Sequence, residues 1–281
     1  MIIWIASYPK SGNTWVRSFL ASYYFSENGI FTVEDLYRIE DYPNKQFFPG
    51  INIKKWEIYK HWEESQKRIK KNNKIKFLKT HNSLINLRGE DFTQPKYTLG
   101  IIYIIRDPRN VITSVKNHNS FQTYDEAFEF MKKDNTTIWG FDNDYSKTNV
   151  INSWRINYQS WTRKDKYKKM IVKYEDMLSR PEETFYDLVK FVNNICSFDK
   201  EIDKDKINNA IKTTSFDNLK KIEERGEFRE TVHNLKTKEK KKFFYKGPEN
   251  DWKKILDKKL AEDMTEYYKD DLKLFGYYEK N

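Results

Sequence analysis

Cysteine is almost missing from this 281-residue chain. Cys196 stands alone, which excludes an intramolecular disulfide and any zinc site built on cysteine. Histidine is scarce too, at four residues, and it is nowhere grouped with carboxylates as a ligand set, so no metal is expected. Long hydrophobic runs are absent. The N-terminal apolar stretch reaches only from Ile2 to Ala6 before polar and helix-breaking residues, and no later stretch is long enough to span a bilayer. A signal peptide or membrane span is therefore not expected, and the chain reads as soluble and cytoplasmic. Internal repeats and low-complexity linkers are also lacking, so one domain over residues 1–281 is expected.

What is present is aromatic and basic. Eight Trp, 19 Tyr and 19 Phe offer large surfaces to bury, which argues for a packed body although 33% of residues are charged. Lys and Arg exceed Asp and Glu by 52 to 42, a net charge of +10 that favours an anionic partner. Lys, Asn, Ile, Tyr and Phe are abundant throughout, so composition alone explains much of that charge as a solvated surface.

Ile2, Ile3, Trp4 and Ile5 form a continuous apolar run, the pattern of a strand covered on both faces of a parallel sheet. Pro9 and Gly12 interrupt it, and from Thr14 the apolar residues Trp15, Val16, Phe19, Leu20 and Tyr23 recur at helical spacing. The strand pattern returns within residues 74–81, 99–118 and 168–178, separated by longer stretches. This predicts an α/β fold with a central parallel sheet flanked by helices. The aromatic and charged segments 31–73 and 119–150 read as loops or lids at strand ends. The run 236–242 reads as an exposed patch or loop.

A strand that ends in Pro, Lys, Ser, Gly, Asn and Thr and leads into a helix gathers backbone N–H groups and a lysine around one point. Such a turn binds phosphate, because the helix N-terminus carries partial positive charge and glycine lets the backbone approach closely. It is not a Walker loop, since Lys10 precedes Gly12 rather than following a glycine. The competing structural reading is an ordinary turn with Ser11 or Thr14 as the helix cap and a solvated lysine.

The stretch "YPKSGNTW" (8–15) closely resembles the 5′-phosphosulfate-binding loop of the cytosolic sulfotransferases that use 3′-phosphoadenylyl sulfate (PAPS), usually Y-P-K-S-G-T-T-W. Asn13 is the one departure and keeps a polar side chain. The resemblance implies that Lys10, Ser11, Gly12, Asn13, Thr14 and Trp15 line the donor's 5′ end, with Lys10 on the leaving phosphate. It further implies a 3′-phosphate site in Arg106, at a strand end, and Ser114, eight residues on; Ser114 would also hold Lys10 away until the acceptor arrives. A guanidinium forks onto phosphate oxygens, which suits Arg106 to that task. "KTH" (79–81) resembles the family's catalytic segment, with His81 as general base and Lys79 beside the sulfuryl group; a base with a pKa near neutrality suits the step. His61, His118 and His233 are read as surface or core residues. "KYEDML" nominates Tyr174 near the adenine, and "TTSFDNLKK" nominates Thr214, Ser215 and Phe216 around it. "FFYKGPENDWKK" resembles the late loop R-K-G-x-x-G-D-W-K: Lys246 and Gly247 match, whereas Tyr245 replaces Arg and Asn250 replaces Gly. One cation of the 3′-phosphate corner is thus missing, which predicts weaker or rearranged donor binding there.

The resemblance runs from about residue 2 to about residue 275 with its motifs in order, and it implies sulfuryl transfer from PAPS to a hydroxyl, less readily an amine. Adenosine 3′,5′-bisphosphate (PAP) would be released without a metal. The acceptor would be a small molecule or carbohydrate shaped by segments 31–73 and 119–150. Two rivals fit parts of the chain. A P-loop kinase would share the opening turn but wants a metal-binding Asp at the end of the neighbouring strand, where Arg106 stands. A basic nucleic-acid-binding module would explain the charge, yet the lysines are scattered and the ordered loops go unexplained. The family's short dimer motif is not recognisable around Thr231 and Val232, and the oligomeric state is left open.

Overall fold

The structure is a computed structural model that describes all residues except 73, 141, 142, 229, 231, 234–239 and 279–281, and the side chains of 232, 233 and 240. Most of the basic run 236–242 and the dimer-motif position Thr231 lie outside the described residues.

The first apolar run forms β1 (Ile2–Ser7). Its side chains alternate between two cores: Ile2, Trp4 and Ala6 enter one, Ile3 and Ile5 the other. That double burial is why the run is continuously apolar rather than alternating. Four more strands join it: β2 (Glu40–Asp41), β3 (Lys76–Thr80), β4 (Thr98–Ile105) and β5 (Lys169–Lys173). All pairings are parallel, as the sequence pattern predicts, and the strands lie in the order β2-β3-β1-β4-β5, with β2 an addition to the predicted strands.

Seven helices matter for the site: α1 (Asn13–Phe25), α2 (Pro108–Asn119), α3 (Trp154–Thr162), α4 (Tyr174–Ser179), α5 (Pro181–Cys196), α6 (Lys204–Thr213) and α7 (Phe216–Glu224). Helices α1 and α5 cover one sheet face, where Val16, Phe19 and Leu20 meet Phe185 and Leu188 over Ile3 and Ile5. Helix α3 covers the other, bringing Trp154, Tyr158 and Trp161 into the core of Trp4. Trp4 is fully buried, and its indole N–H donates to Thr98 Oγ1 at 3.0 Å, so the large ring carries no unsatisfied donor.

Two element boundaries differ from the sequence pattern. The apolar run 168–178 is strand only to Lys173, after which Tyr174 opens a short helix. Segments 31–73 and 119–150 contain structure of their own, including helices Trp62–Lys71 and Tyr124–Lys132 and a hairpin pairing Thr137–Ile138 with Asn149–Val150.

The chain leaves β1, builds β2 and β3 on one side, then crosses to β4 on the other. Ligands of open α/β sheets bind at such a reversal, outside the carboxyl ends of the strands. Residues 8–12, His81 and Arg106 follow the ends of β1, β3 and β4.

Candidate active site

The turn after β1 is made by two left-handed residues, Lys10 at φ +68° and Gly12 at φ +100°. Gly12 is the N-cap of α1, which therefore starts one residue before the apolar spacing indicates. Neither Ser11 nor Thr14 caps it, so the first-turn N–H groups have no side-chain acceptor and suit an anion. A Cβ on Gly12 would come within 2.5 Å of the Tyr174 ring, so glycine is demanded by space as well as by φ. Ser11 Oγ and Trp15 Nε1 are buried without a partner among the described residues. The Asn13 amide nitrogen donates to Ile5 O at 3.1 Å and Ser7 Oγ at 3.2 Å, so it ties the loop to β1, while its Oδ1 is buried without a partner among the described residues.

Four sequence-nominated residues come together behind this turn. The Arg106 guanidinium lies 3.9 Å over the Tyr174 ring, Tyr174 abuts Gly12, and Trp15 packs edge-on at 5.9 Å from Tyr174. Arg106 is 5% exposed and its Nε has no partner among the described residues. A buried cation with an orphaned donor is what a phosphate-binding corner requires, so the residues fit an anionic nucleotide.

His81 stands just past β3, and its Nδ1 lies 2.9 Å from Ser7 O and 3.3 Å from Ser7 Oγ. A carbonyl oxygen only accepts, so Nδ1 carries the proton and Nε2 keeps a lone pair. Burial and the nearby Lys79 charge push this imidazole well below its ordinary pKa, which differs from the near-neutral value expected. Lys79 is held by Asp41 at 3.1 Å, and Asp41 lies 3.9 Å from Arg17. Arg17, itself buried on α1, pairs with Glu230 at 2.6 Å and donates to Ile39 O at 3.0 Å. These charges hold the Asp41 carboxyl below the usual range, although burial opposes them.

Ser114 lies on α2, half-buried, and makes no hydrogen bond to Lys10. One turn further, His118 is closer to the chemistry than a surface residue: burial lowers its pKa, and Lys10 and Lys79 lower it further. The spacing of Ser114 and His118 on one helix face was the available signal for it.

The late motifs converge around aromatic rings. Phe243 covers the Lys10 ammonium at 3.9 Å, Phe243 meets Phe244 at 5.1 Å, and Phe244 meets Phe216 at 6.0 Å. Gly247, at φ +54°, sits against Phe216, where a Cβ would come within 2.4 Å of the ring. Ser215 is the N-cap position of α7, and Thr214 is fully buried with its hydroxyl on Ala210 O at 2.7 Å, so that hydroxyl faces inward. Lys246 Nζ lies 5.4 Å over the exposed Tyr245 ring. Asn250, where glycine was the expected residue, is buried: it accepts from Thr113 at 2.7 Å and donates to Asn110 O at 2.7 Å. Lys241 docks on the end of α2, donating to Asn117 O at 2.6 Å and Ser120 Oγ at 2.7 Å, while Lys242 beside it is exposed.

The two segments read as lids meet each other, and the second also reaches His81. Asn149 Oδ1 accepts from His81 N and Thr80 Oγ1, each at 3.3 Å, and the same hairpin leads to Trp139. Trp139 meets Trp56 edge-on at 4.4 Å and Tyr145 at 5.6 Å, which joins the two segments through aromatic rings. Among the described residues no three His, Cys, Asp or Glu side chains gather as a metal site, and no helix is long and apolar enough to cross a membrane.

Comparison with known proteins places the chain in a family and a fold. A sequence profile of the sulfotransferase domain matches residues 2–276. Cytosolic sulfotransferase 13 of Arabidopsis thaliana is 24% identical over 95% of this chain and 76% of its own length. Two solved folds superpose over 97% of this chain. A mouse sulfotransferase complexed with PAP does so at a TM-score of 0.60 and 17% identity over 84% of its length. A retinol dehydratase in complex with androsterone and PAP gives 0.60 and 15% over 80%.

Proposed function

This chain belongs to the sulfotransferase domain family, and from that premise we propose that it is a PAPS-dependent sulfotransferase acting on a hydroxyl, less readily an amine. The donor supplies the sulfuryl group, and PAP leaves. Backbone N–H groups of residues 10–15 and the Ser11 hydroxyl bind its 5′ end, Arg106 and Ser114 its 3′-phosphate, and Tyr174, Thr214, Ser215, Phe216, Lys246 and Gly247 the nucleoside side. His81 Nε2 takes the acceptor proton as the acceptor oxygen bonds to sulfur. The bridging sulfur–oxygen bond breaks, its electron pair stays on the phosphate oxygen, and Lys10 meets that charge. Lys79, ion-paired with Asp41, stabilises the transferring sulfuryl group. An anionic donor beside the imidazole raises the pKa that burial and Lys79 lower. No step needs a metal. The proposal includes a single domain, a reducing cytoplasmic setting, and a small-molecule or carbohydrate acceptor bounded by Trp56, Trp139 and Tyr145.

Ser7 carries the reading. It accepts from the donor loop through Asn13 and fixes the tautomer of His81, so one residue joins the leaving-group side to the base. The test is transfer of labelled sulfuryl from PAPS to a panel of phenols, alcohols, sugars and amines, with Lys10→Ala and His81→Ala alongside. Loss of transfer in both supports the roles, and full turnover in either removes its role. Thermal stabilisation by ATP with magnesium but not by PAP would favour a kinase instead.

A further inference from the structure

Among the described residues, the Lys10 ammonium meets no carboxylate at ion-pair distance and no hydrogen-bond acceptor; it meets the face of Phe243, 3.9 Å from the ring centroid. Lys79 differs, with Asp41 at 3.1 Å. The Phe243 ring is fixed independently of any ligand. Its own N–H donates to Glu223 at 2.6 Å, the Phe244 N–H donates to the same carboxylate at 3.0 Å, and the ring packs on Phe228 at 5.0 Å. Glu223 is buried at the end of α7, so α7 places the ring. Lys10 itself stands on a left-handed backbone, at φ +68°.

We propose that Phe243 is a positioning residue that holds the Lys10 ammonium charged and aimed over its ring face, and yields it to the phosphate oxygen during transfer. The proposal rests on Lys10 as the leaving-group cation. A buried ammonium tends to lose its proton: burial, with the charges of Lys79 and Arg106, lowers Lys10 to about 8, although Glu230 and Glu223 act to raise it. Glu230 and Glu223 act on the ammonium from beyond ion-pair distance, and a carboxylate in direct contact would also repel an anionic donor. The negative face of a ring holds the ammonium without adding a net charge to the crevice. Ser114, given this task by the family resemblance, makes no bond to Lys10 here.

The test is trace acylation of amines in the ligand-free full chain, read at Lys10 by mass spectrometry. Trifluorophenylalanine in place of Phe243 keeps the ring's shape but weakens its negative face, so Lys10 labelling should rise about fivefold, the factor set by an ordinary cation–π contact. Phe243→Tyr should label like the native chain, and Lys79 should not change in either. Equal Lys10 labelling in the fluorinated and native proteins overturns the proposal, as does an equal rise at Lys79. This readout needs no turnover. A Lys10→Ala enzyme that still transferred sulfuryl groups would therefore sink the catalytic reading of Lys10 separately.

Discussion

The loop after β1 and the segment from Phe243 to Trp252 meet where Lys10 lies over Phe243, yet they are built by opposite means. The loop is shaped by backbone: two left-handed residues, an uncapped helix start, and a glycine pressed against Tyr174. The late segment is shaped by side chains reaching far along the chain, from Glu223 to Phe243 and Phe244, and from Asn250 to Thr113 and Asn110. A corner made of backbone leaves little freedom in its residues. One made of side-chain bonds can be respelled, and Tyr245 and Asn250 are such respellings.

The comparison breaks most visibly at Gly12. Gly12→Val puts a branched side chain at φ +100° and into the Tyr174 ring, so it should cost about 2 kcal/mol or more of stability and abolish PAP binding. Thermal melts and calorimetry check both. Unimpaired PAP binding would mean that the backbone is not what shapes the loop. Arg106→Ala comes next. It removes a buried guanidinium from the proposed 3′-phosphate corner, and PAP affinity should fall about 100-fold, as expected for lost charge-assisted bonds. Affinity within a factor of two of the native protein would move the phosphate elsewhere.

That contrast also explains what could be read from the sequence. The parallel sheet was legible because β1 and β4 are buried on both faces and so spell unbroken apolar runs. The turn was legible because its requirements fall on adjacent residues. Pairings across the chain left no local trace: nothing near Asn250 announces Thr113, and nothing near Lys10 announces Phe243. The inward turn of Asn13 was hidden for the same reason, since its partners are the end of β1 rather than its neighbours. The role of Glu230 against Arg17 was likewise invisible, because a buried arginine on α1 looks like any other helical cation until its partners are placed.

A pH profile sharpens the comparison further. His81 is held neutral far below the ordinary histidine pKa, so kcat/KM should not fall between pH 7 and pH 6. Lys10 is lowered to about 8, so its charge is lost as pH rises through that value, and kcat/KM should drop about tenfold per unit above it. Lys10→Arg should erase that alkaline limb, because arginine keeps its proton. A limb that persists in the variant would belong to another group.

The smallest effects belong to the late segment, where the respelling can be reversed. Tyr245 lines a pocket of about 220 Å³ together with Lys116 and Lys241, two cations beside it. Tyr245→Arg therefore should tighten PAP by no more than about fivefold, well short of a full charge-assisted contact. A gain near 100-fold in calorimetry would show that the lysines do not stand in for the missing cation. Asn250→Gly should leave PAP affinity nearly unchanged but lower stability by about 1–2 kcal/mol, through the two hydrogen bonds to α2 that glycine cannot make. The two variants then separate the jobs of the segment: Tyr245 bears on ligand charge, Asn250 on holding the loop to α2. If Asn250→Gly instead weakened PAP as much as Arg106→Ala, the late segment would be as intolerant of respelling as the loop after β1.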